Sequence, residues 1–66
     1  MPVAILEMLE GHSIEEKRQL AKDITQAFVK IGAPAETVQI IMRENPKSCW
    51  AEAGKICADF EIPSGA

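Results

Sequence analysis

Residues 13–32 read SIEEKRQLAKDITQAFVKIG, and this stretch decides the fold. Ser13 and Glu16 have the spacing of a capping box, in which each side chain accepts a hydrogen bond from the other residue's backbone N–H. Gly32 stands where a helix commonly ends. Between these limits apolar residues recur at intervals of three and four, interrupted only by Lys17: Ile14, Leu20, Ala21, Ile24, Ala27, Phe28 and Ile31. The stretch therefore predicts an amphipathic helix of about five turns.

Two apolar stretches flank this helix. Residues 2–9 read PVAILEML. Most of the odd-numbered and most of the even-numbered residues in this stretch are apolar, which suits a strand covered on both faces. Residues 38–44 read VQIIMRE and predict a second strand. Pro34 can start a tight helical turn in the connection before it. Two strands joined by a long helix form a β-α-β unit, whose strands run parallel.

The remaining residues predict less regular structure. Asn45-Pro46-Lys47-Ser48 is a turn cluster, and residues 49–57 combine small side chains with one tryptophan, which favours an extended arm or a hairpin. The tail 59–66 contains Pro63, Ser64 and Gly65 and is expected to fray. We therefore expect a single α+β domain over residues 1–66, with one β-α-β unit, two parallel strands and a C-terminal arm or hairpin.

Composition excludes several classes of protein. The 66 residues carry ten acidic and seven basic side chains, a net charge of −3, whereas a nucleic-acid binder normally shows a basic stripe. No apolar run approaches the ~20 residues that a membrane span needs, and Met1-Pro2 opens no secretory signal. We expect a cytoplasmic protein that binds neither nucleic acid nor membrane.

Small size creates a stability problem. Below about 70–80 residues, a single core rarely stabilises a fold without disulfides, metal or oligomerisation. Cys49 and Cys57 are too few for a disulfide scaffold, and we expect both to be reduced and buried. A zinc site needs about four ligands, and His12 lies far from both cysteines, so no metal is expected. A homo-oligomer is the remaining solution, because one helix can cover only one face of a two-stranded sheet.

Several short motifs, in this order and spacing, resemble the 4-oxalocrotonate tautomerase family over residues 2–57. They are Met1-Pro2, MLEG at 8–11, SIEEK at 13–17, GAP at 32–34, VQIIMRE at 38–44 and WAEAGK at 50–55. The resemblance implies a cofactor-free isomerase that interconverts the enol and keto forms of a small 2-oxo acid. It also implies a homohexamer built as a trimer of dimers.

Pro2 is the catalytic residue that the resemblance implies. Methionine before proline is normally removed, which would leave a secondary amine at the start of the chain. An ordinary α-amine has a pKa near 7.7–8.0, and an apolar pocket would lower it toward the range that suits a general base. From residue type alone, Pro2 is better explained as the first residue of an edge strand, and it is the resemblance that favours the catalytic role. If Met1 stays in place, the Pro2 nitrogen is an amide and cannot act as a base.

The expected substrate-binding residues depart from the family pattern. The family carries arginines where this chain has His12 and Gln39, and neither replacement is a permanent cation with the arginine fork. Arg43, on the same strand face as Gln39, is a possible substitute about 13 Å further along, or the partner of a surface or intersubunit ion pair. Trp50 takes the place of an aromatic residue that walls the family's active site, or it packs within the oligomer. His12 could also be a solvated loop residue.

Two other functions stay open. Relatives on the same scaffold carry out dehalogenation, hydration or decarboxylation of small unsaturated acids, but those reactions need binding arginines and a partner carboxylate. A chain without both arginines could also be a non-catalytic oligomeric scaffold. Monoacid enols are expected to be better substrates, relative to diacids, than in arginine-bearing relatives.

Overall fold

The computed structural model describes residues 1–59. Strand β1 spans Val3–Leu9, helix α1 spans Ile14–Lys30 and strand β2 spans Gln39–Asn45. The two strands pair in parallel, with Val3 opposite Gln39 and Leu9 opposite Asn45. The β-α-β unit expected from the sequence is confirmed, although each strand begins one residue later than predicted and β2 continues to Asn45.

Helix α1 begins with the predicted capping box. The Ser13 N–H donates to Glu16 Oε1 at 2.8 Å, and the Glu16 N–H donates to the Ser13 hydroxyl at 3.1 Å. Its carboxyl end closes at Ile31, and Gly32 follows with a φ of +105°, a left-handed conformation that glycine adopts without strain. Both end signals are local, because each depends on residues within the helix or directly beside it.

The helix covers the sheet face that carries the even-numbered strand residues. These residues are half-buried, as are the helix residues of the opposing stripe: Ala4, Leu6, Met8, Ile40 and Met42 on the strands, and Leu20, Ala21, Ile24 and Phe28 on the helix. Lys17, which interrupts the stripe, is also half-buried and forms an ion pair with Glu44 at the end of β2. Ile14 and Ile31, at the two ends of the predicted stripe, are instead exposed because they extend beyond the sheet.

The other sheet face is open. Val3 is 48 %, Ile5 52 % and Ile41 44 % exposed, although all three are large apolar side chains. In residues 1–59 the buried apolar side chains are those of Leu9 and Cys57. One copy of the chain therefore buries very little apolar surface, and its open face carries the kind of exposed apolar patch that is typical of an interaction surface.

A hairpin follows β2, as one of the two expected alternatives. Strands β3 (Ala51–Glu52) and β4 (Lys55–Ile56) are antiparallel and are joined by Ala53 and Gly54, both with positive φ. That pair of conformations is typical of the tight hairpin turn whose twist matches the strands. Short 3-10 turns at Lys47–Cys49 and Cys57–Asp59 flank the hairpin, and another, at Ala35–Thr37, follows Pro34 as predicted.

Two expectations about this end of the chain need qualification. Cys57 is buried as expected, but Cys49 is exposed, because it lies in the 3-10 turn outside the hairpin. Asp59, predicted to begin a frayed tail, closes the last 3-10 turn, and residues 60–66 of that tail lie outside the described residues. In the described part of the chain, no helix is long and apolar enough to cross a membrane.

Candidate active site

Pro2 lies directly before β1, against the amino end of β2. Its carbonyl oxygen accepts the Gln39 N–H at 3.0 Å, which extends the strand pairing by one bond, and its side chain is half-buried. The Gln39 side-chain amide lies next to Met1, with Nε2 3.3 Å from the thioether sulfur. The structure therefore brings two of the predicted site residues, Pro2 and Gln39, together at one end of the sheet.

His12 lies at the opposite end, between β1 and α1. Its Nδ1 is 3.9 Å from Glu16 Oε2, and its side chain is 23 % exposed, so it is not the freely solvated loop residue considered above. Hydrogen bonds from the Ser13 backbone N–H, and then from the Ser13 hydroxyl, lower the pKa of the Glu16 carboxyl, and His12 adds a smaller effect. Glu16 is thus held as a carboxylate beside His12.

An open depression of about 520 Å³ lies beside His12, along the outer edge of β1. Its lining combines apolar and ionisable side chains: Ile5, Leu6, Met8 and Leu20, together with Glu7, His12, Glu16 and Lys17. The arrangement suits a small molecule, or a segment of another chain, with an apolar body and a polar end.

Arg43 lies on the open sheet face, directly opposite Glu7 in the strand register. Its Nη1 donates to Glu7 Oε2 at 3.3 Å, and the Asn45 side-chain amide donates to Glu7 Oε1 at 3.2 Å. Of the two roles considered for Arg43, the ion pair with an acid is therefore the one formed within a single chain. Both oxygens of the Glu7 carboxylate are engaged.

Trp50 follows the end of β2 by five residues and is half-buried. Its carbonyl oxygen accepts the Cys57 N–H at 2.7 Å, so the hairpin pairing continues to the tryptophan. Burial, with a smaller contribution from the Glu52 carboxylate, raises the pKa of the Cys57 thiol. Because only the thiolate is an effective nucleophile, a buried thiol with a raised pKa is suited to packing the hairpin and poorly suited to nucleophilic attack.

The predicted site residues thus form two groups at opposite ends of the sheet. Pro2 and Gln39 lie at the amino ends of the strands, whereas His12, Arg43 and Trp50 lie near the carboxyl ends. Seven residue steps separate Pro2 from Leu9, which is about 23 Å in a strand. No small ligand can bridge that distance within one chain.

The sequence predicted Asn45 in a turn and an unspecified acid as the alternative partner of Arg43, and it did not identify the contacts that Glu7 and Asn45 make with Arg43. The available signal was the pairing register, since alignment of Val3 with Gln39 places Glu7 beside Arg43. Among residues 1–59, no three His, Cys, Asp or Glu side chains come together as metal ligands.

Comparisons with known proteins agree with this geometry. A family model described as Tautomerase enzyme matches residues 2–59. The 2-hydroxymuconate tautomerase of Comamonas testosteroni is 40 % identical over 55 residues, which cover 82 % of this chain and 87 % of the relative. The crystal structure of TomN, a 4-oxalocrotonate tautomerase homologue in the tomaymycin biosynthetic pathway, matches with a TM-score of 0.85 at 32 % identity, covering 88 % of this chain and 91 % of that one.

A second similar structure is the heterohexamer 4-oxalocrotonate tautomerase from Chloroflexus aurantiacus J-10-fl. It matches with a TM-score of 0.85 at 31 % identity and covers 92 % of this chain and 100 % of that one. The matched family model and the relatives cover the β-α-β unit and the hairpin together. The chain belongs to the tautomerase family and is an isomerase of the tautomerase type.

Proposed function

We propose that this tautomerase interconverts the enol and keto forms of a small 2-oxo acid, with the amine of Pro2 as the general base. The observation that carries the proposal is the position of Pro2. It is half-buried at the amino end of the sheet, and its carbonyl is bonded to the backbone of Gln39, a residue whose side chain can donate to a substrate oxygen.

Removal of Met1 would convert the Pro2 nitrogen from an amide into a secondary amine. The amine takes the proton of the enol hydroxyl, and the electrons of that O–H bond form the carbonyl double bond. The electrons of the former carbon–carbon double bond then form a new C–H bond with the proton that the prolinium gives up. The amine is regenerated and no co-reactant is consumed, so the reaction needs no cofactor.

The surroundings of Pro2 suit this role. A free α-amine has a pKa near 7.7–8.0, and apolar neighbours disfavour the charged form. Val3 and Ile41 lie on the open face next to this end of the sheet, and covering that face would exclude water from the amine. A partly unprotonated amine near neutral pH is what a general base requires.

We propose that the working form is a homo-oligomer, a hexamer arranged as a trimer of dimers. The chain supports an oligomer because Val3, Ile5 and Ile41 form an exposed apolar face that one copy leaves uncovered. The relative from Chloroflexus aurantiacus is described as a heterohexamer, which supports the proposed number of subunits.

The site itself also favours assembly. Pro2 and Gln39 lie at one end of the sheet and His12, Arg43 and Trp50 at the other, so a site that uses all five must draw on more than one copy. Copies placed with their sheets in opposite directions would bring the two ends together. In that arrangement His12 and Gln39 donate hydrogen bonds to substrate oxygens and Trp50 provides an apolar wall.

Mass spectrometry and one matched pair of proteins test the proposal. The mature chain should have lost Met1, and it should convert the enol of phenylpyruvate to the keto form. The same chain with a short N-terminal extension that persists in the purified protein should assemble but lose that activity, since its Pro2 nitrogen is an amide. Full activity in the extended chain would show that Pro2 is only a strand residue. Inactivity of both proteins would instead favour a non-catalytic scaffold.

A further inference from the structure

Among the open-face residues of strands β1 and β2, Arg43 is the only basic one, and its guanidinium is paired with a carboxylate. The ion pair with Glu7 spans 3.3 Å, and Asn45 engages the second oxygen of the same carboxylate at 3.2 Å. Glu7 and Arg43 are also direct partners in the strand register. The acid is therefore fixed by three features of the sheet, and the net charge of the pair is zero.

The other candidate binding groups do not replace this cation. Gln39 carries a neutral amide, and the ring of His12 lies beside the Glu16 carboxylate at 3.9 Å. A substrate with one carboxylate can be held by hydrogen bonds from such groups. A second carboxylate would either stay without a cation or have to displace Glu7, and both outcomes are unfavourable.

We propose that Glu7 sets the substrate charge of this tautomerase: by occupying Arg43 it selects small enol monoacids and disfavours dicarboxylates. Glu7 is a positioning residue in this role, since it acts through Arg43 and not on the reacting atoms. The proposal rests on the proposed function, because Arg43 must face the substrate in the assembled protein.

Assembly strengthens the effect. In one chain the side chains of Arg43 and Glu7 are 58 % and 52 % exposed, so solvent screens their attraction. When another copy covers the open face, water leaves and the attraction between the two charges increases. The Glu7 carboxylate then becomes harder for an incoming substrate carboxylate to displace.

The test compares Glu7→Gln with two other variants. Glu15→Gln is the matched control, because it removes one negative charge from another exposed ion pair, that of Glu15 with Arg18 on the outer face of α1. Glu7→Gln/Arg43→Gln removes both members of the pair. For each protein, kcat/KM is measured with 2-hydroxymuconate, a diacid, and with the enol of phenylpyruvate, a monoacid.

Glu7→Gln should raise the diacid-to-monoacid ratio of kcat/KM by about ten- to a hundredfold, through a lower KM for the diacid. The double variant and Glu15→Gln should both keep the wild-type ratio. A structural role alone would change both substrates in parallel and leave the ratio unchanged, which would overturn the proposal. A gain that persists in the double variant would also overturn it.

Two further measurements cover the remaining cases. If Glu7→Gln does not assemble, Glu7→Asp replaces it in the test. Glu7→Asp keeps the negative charge but moves it away from Arg43, so it should give a smaller gain in the same ratio of kcat/KM. No gain with Glu7→Asp would reject the inference.

Calorimetric binding of muconate requires no turnover. If the wild type and Glu7→Gln are both inactive but Glu7→Gln binds muconate more tightly, the result contradicts the proposed function and supports the role of Glu7. If the two proteins bind muconate equally well, the role of Glu7 is rejected.

Discussion

The Gln39 backbone N–H donates to the Pro2 carbonyl oxygen at 3.0 Å, one bond beyond the β1–β2 ladder. Residue 2 is thus tied to the sheet by a backbone hydrogen bond. This bond places Pro2 beside Gln39 at the amino end of β2. The catalytic role proposed for Pro2 needs such an anchor, because untethered chain ends are mobile.

Pro2→Ala tests the role of the proline nitrogen without moving the chain. The variant keeps an amine at nearly the same place but makes it primary, so activity should fall by up to the ~10²–10⁴-fold that general acid–base catalysis contributes. The measurement is kcat/KM with the enol of phenylpyruvate as a function of pH. In the wild type, the rising limb should report one group with a pKa below the 7.7–8.0 of a free α-amine. An unchanged rate and pH profile in Pro2→Ala would rule out the proline as base.

The local parts of the fold were predictable from the sequence. The Ser13–Glu16 capping box and the stop at Gly32 depend on neighbouring residues, so short-range patterns identify them. The contact of Arg43 with Glu7 joins residues on different strands. It depends on the pairing register of β1 and β2, which cannot be predicted from the sequence of either strand alone. The separation of Pro2 from His12, in contrast, follows from the length of β1 alone, because the two residues flank that strand.

The open sheet face yields a prediction about assembly. Ile5→Asp places a charge at the centre of the exposed apolar face, between Val3 and the cross-strand partner Ile41. Because burying an unpaired carboxylate is strongly unfavourable, the variant should dissociate at micromolar concentration in sedimentation experiments. Ile31→Asp is the control, since Ile31 is 81 % exposed beyond the end of α1 and outside this face. An Ile5→Asp protein with wild-type mass in solution would show that another surface holds the oligomer.

The hairpin turn contains a residue that is poorly suited to it. Ala53 has a φ of +52°, a left-handed conformation in which a Cβ atom is unfavourable, whereas Gly54 beside it accommodates its φ of +79° freely. Ala53→Gly should therefore stabilise the protein, by about 0.5–1 kcal/mol in denaturant unfolding. The matched change Ala51→Gly, in strand β3, should destabilise it by a similar amount. Equal effects of the two substitutions would contradict a specific strain at Ala53.

The capping box makes stability depend on pH. Hydrogen bonds from Ser13 lower the pKa of Glu16 below its ordinary value of 4.5, so the folded state favours the carboxylate. This contribution is present above about pH 4.5 and is lost as the pH falls through the lower folded-state pKa. Ser13→Ala keeps the backbone N–H and loses only the hydroxyl, so it should cost about 0.5–2 kcal/mol at neutral pH. Glu16→Gln removes the carboxylate and should weaken the loss of stability on acidification. Thermal unfolding between neutral and acidic pH measures both effects, and parallel curves for the wild type and Glu16→Gln would contradict the assignment.

His12 and Gln39, the two positions at which the family resemblance implies arginine, offer the most direct test of where the substrate lies. His12 and Gln39 are at opposite ends of one chain, so they can act on one substrate only if different copies contribute them. The variant His12→Arg/Gln39→Arg should lower KM for 2-hydroxymuconate, because each charge-assisted hydrogen bond contributes about 1.5–3 kcal/mol. Lys22→Arg, a conservative change on the exposed side of α1, is the control and should leave KM unchanged. His12→Arg alone and Gln39→Arg alone should each give part of this decrease in KM, and only when the protein is assembled. If the double variant gains nothing with the diacid while its assembly is intact, neither position faces the substrate, and the composite site must be built from other residues.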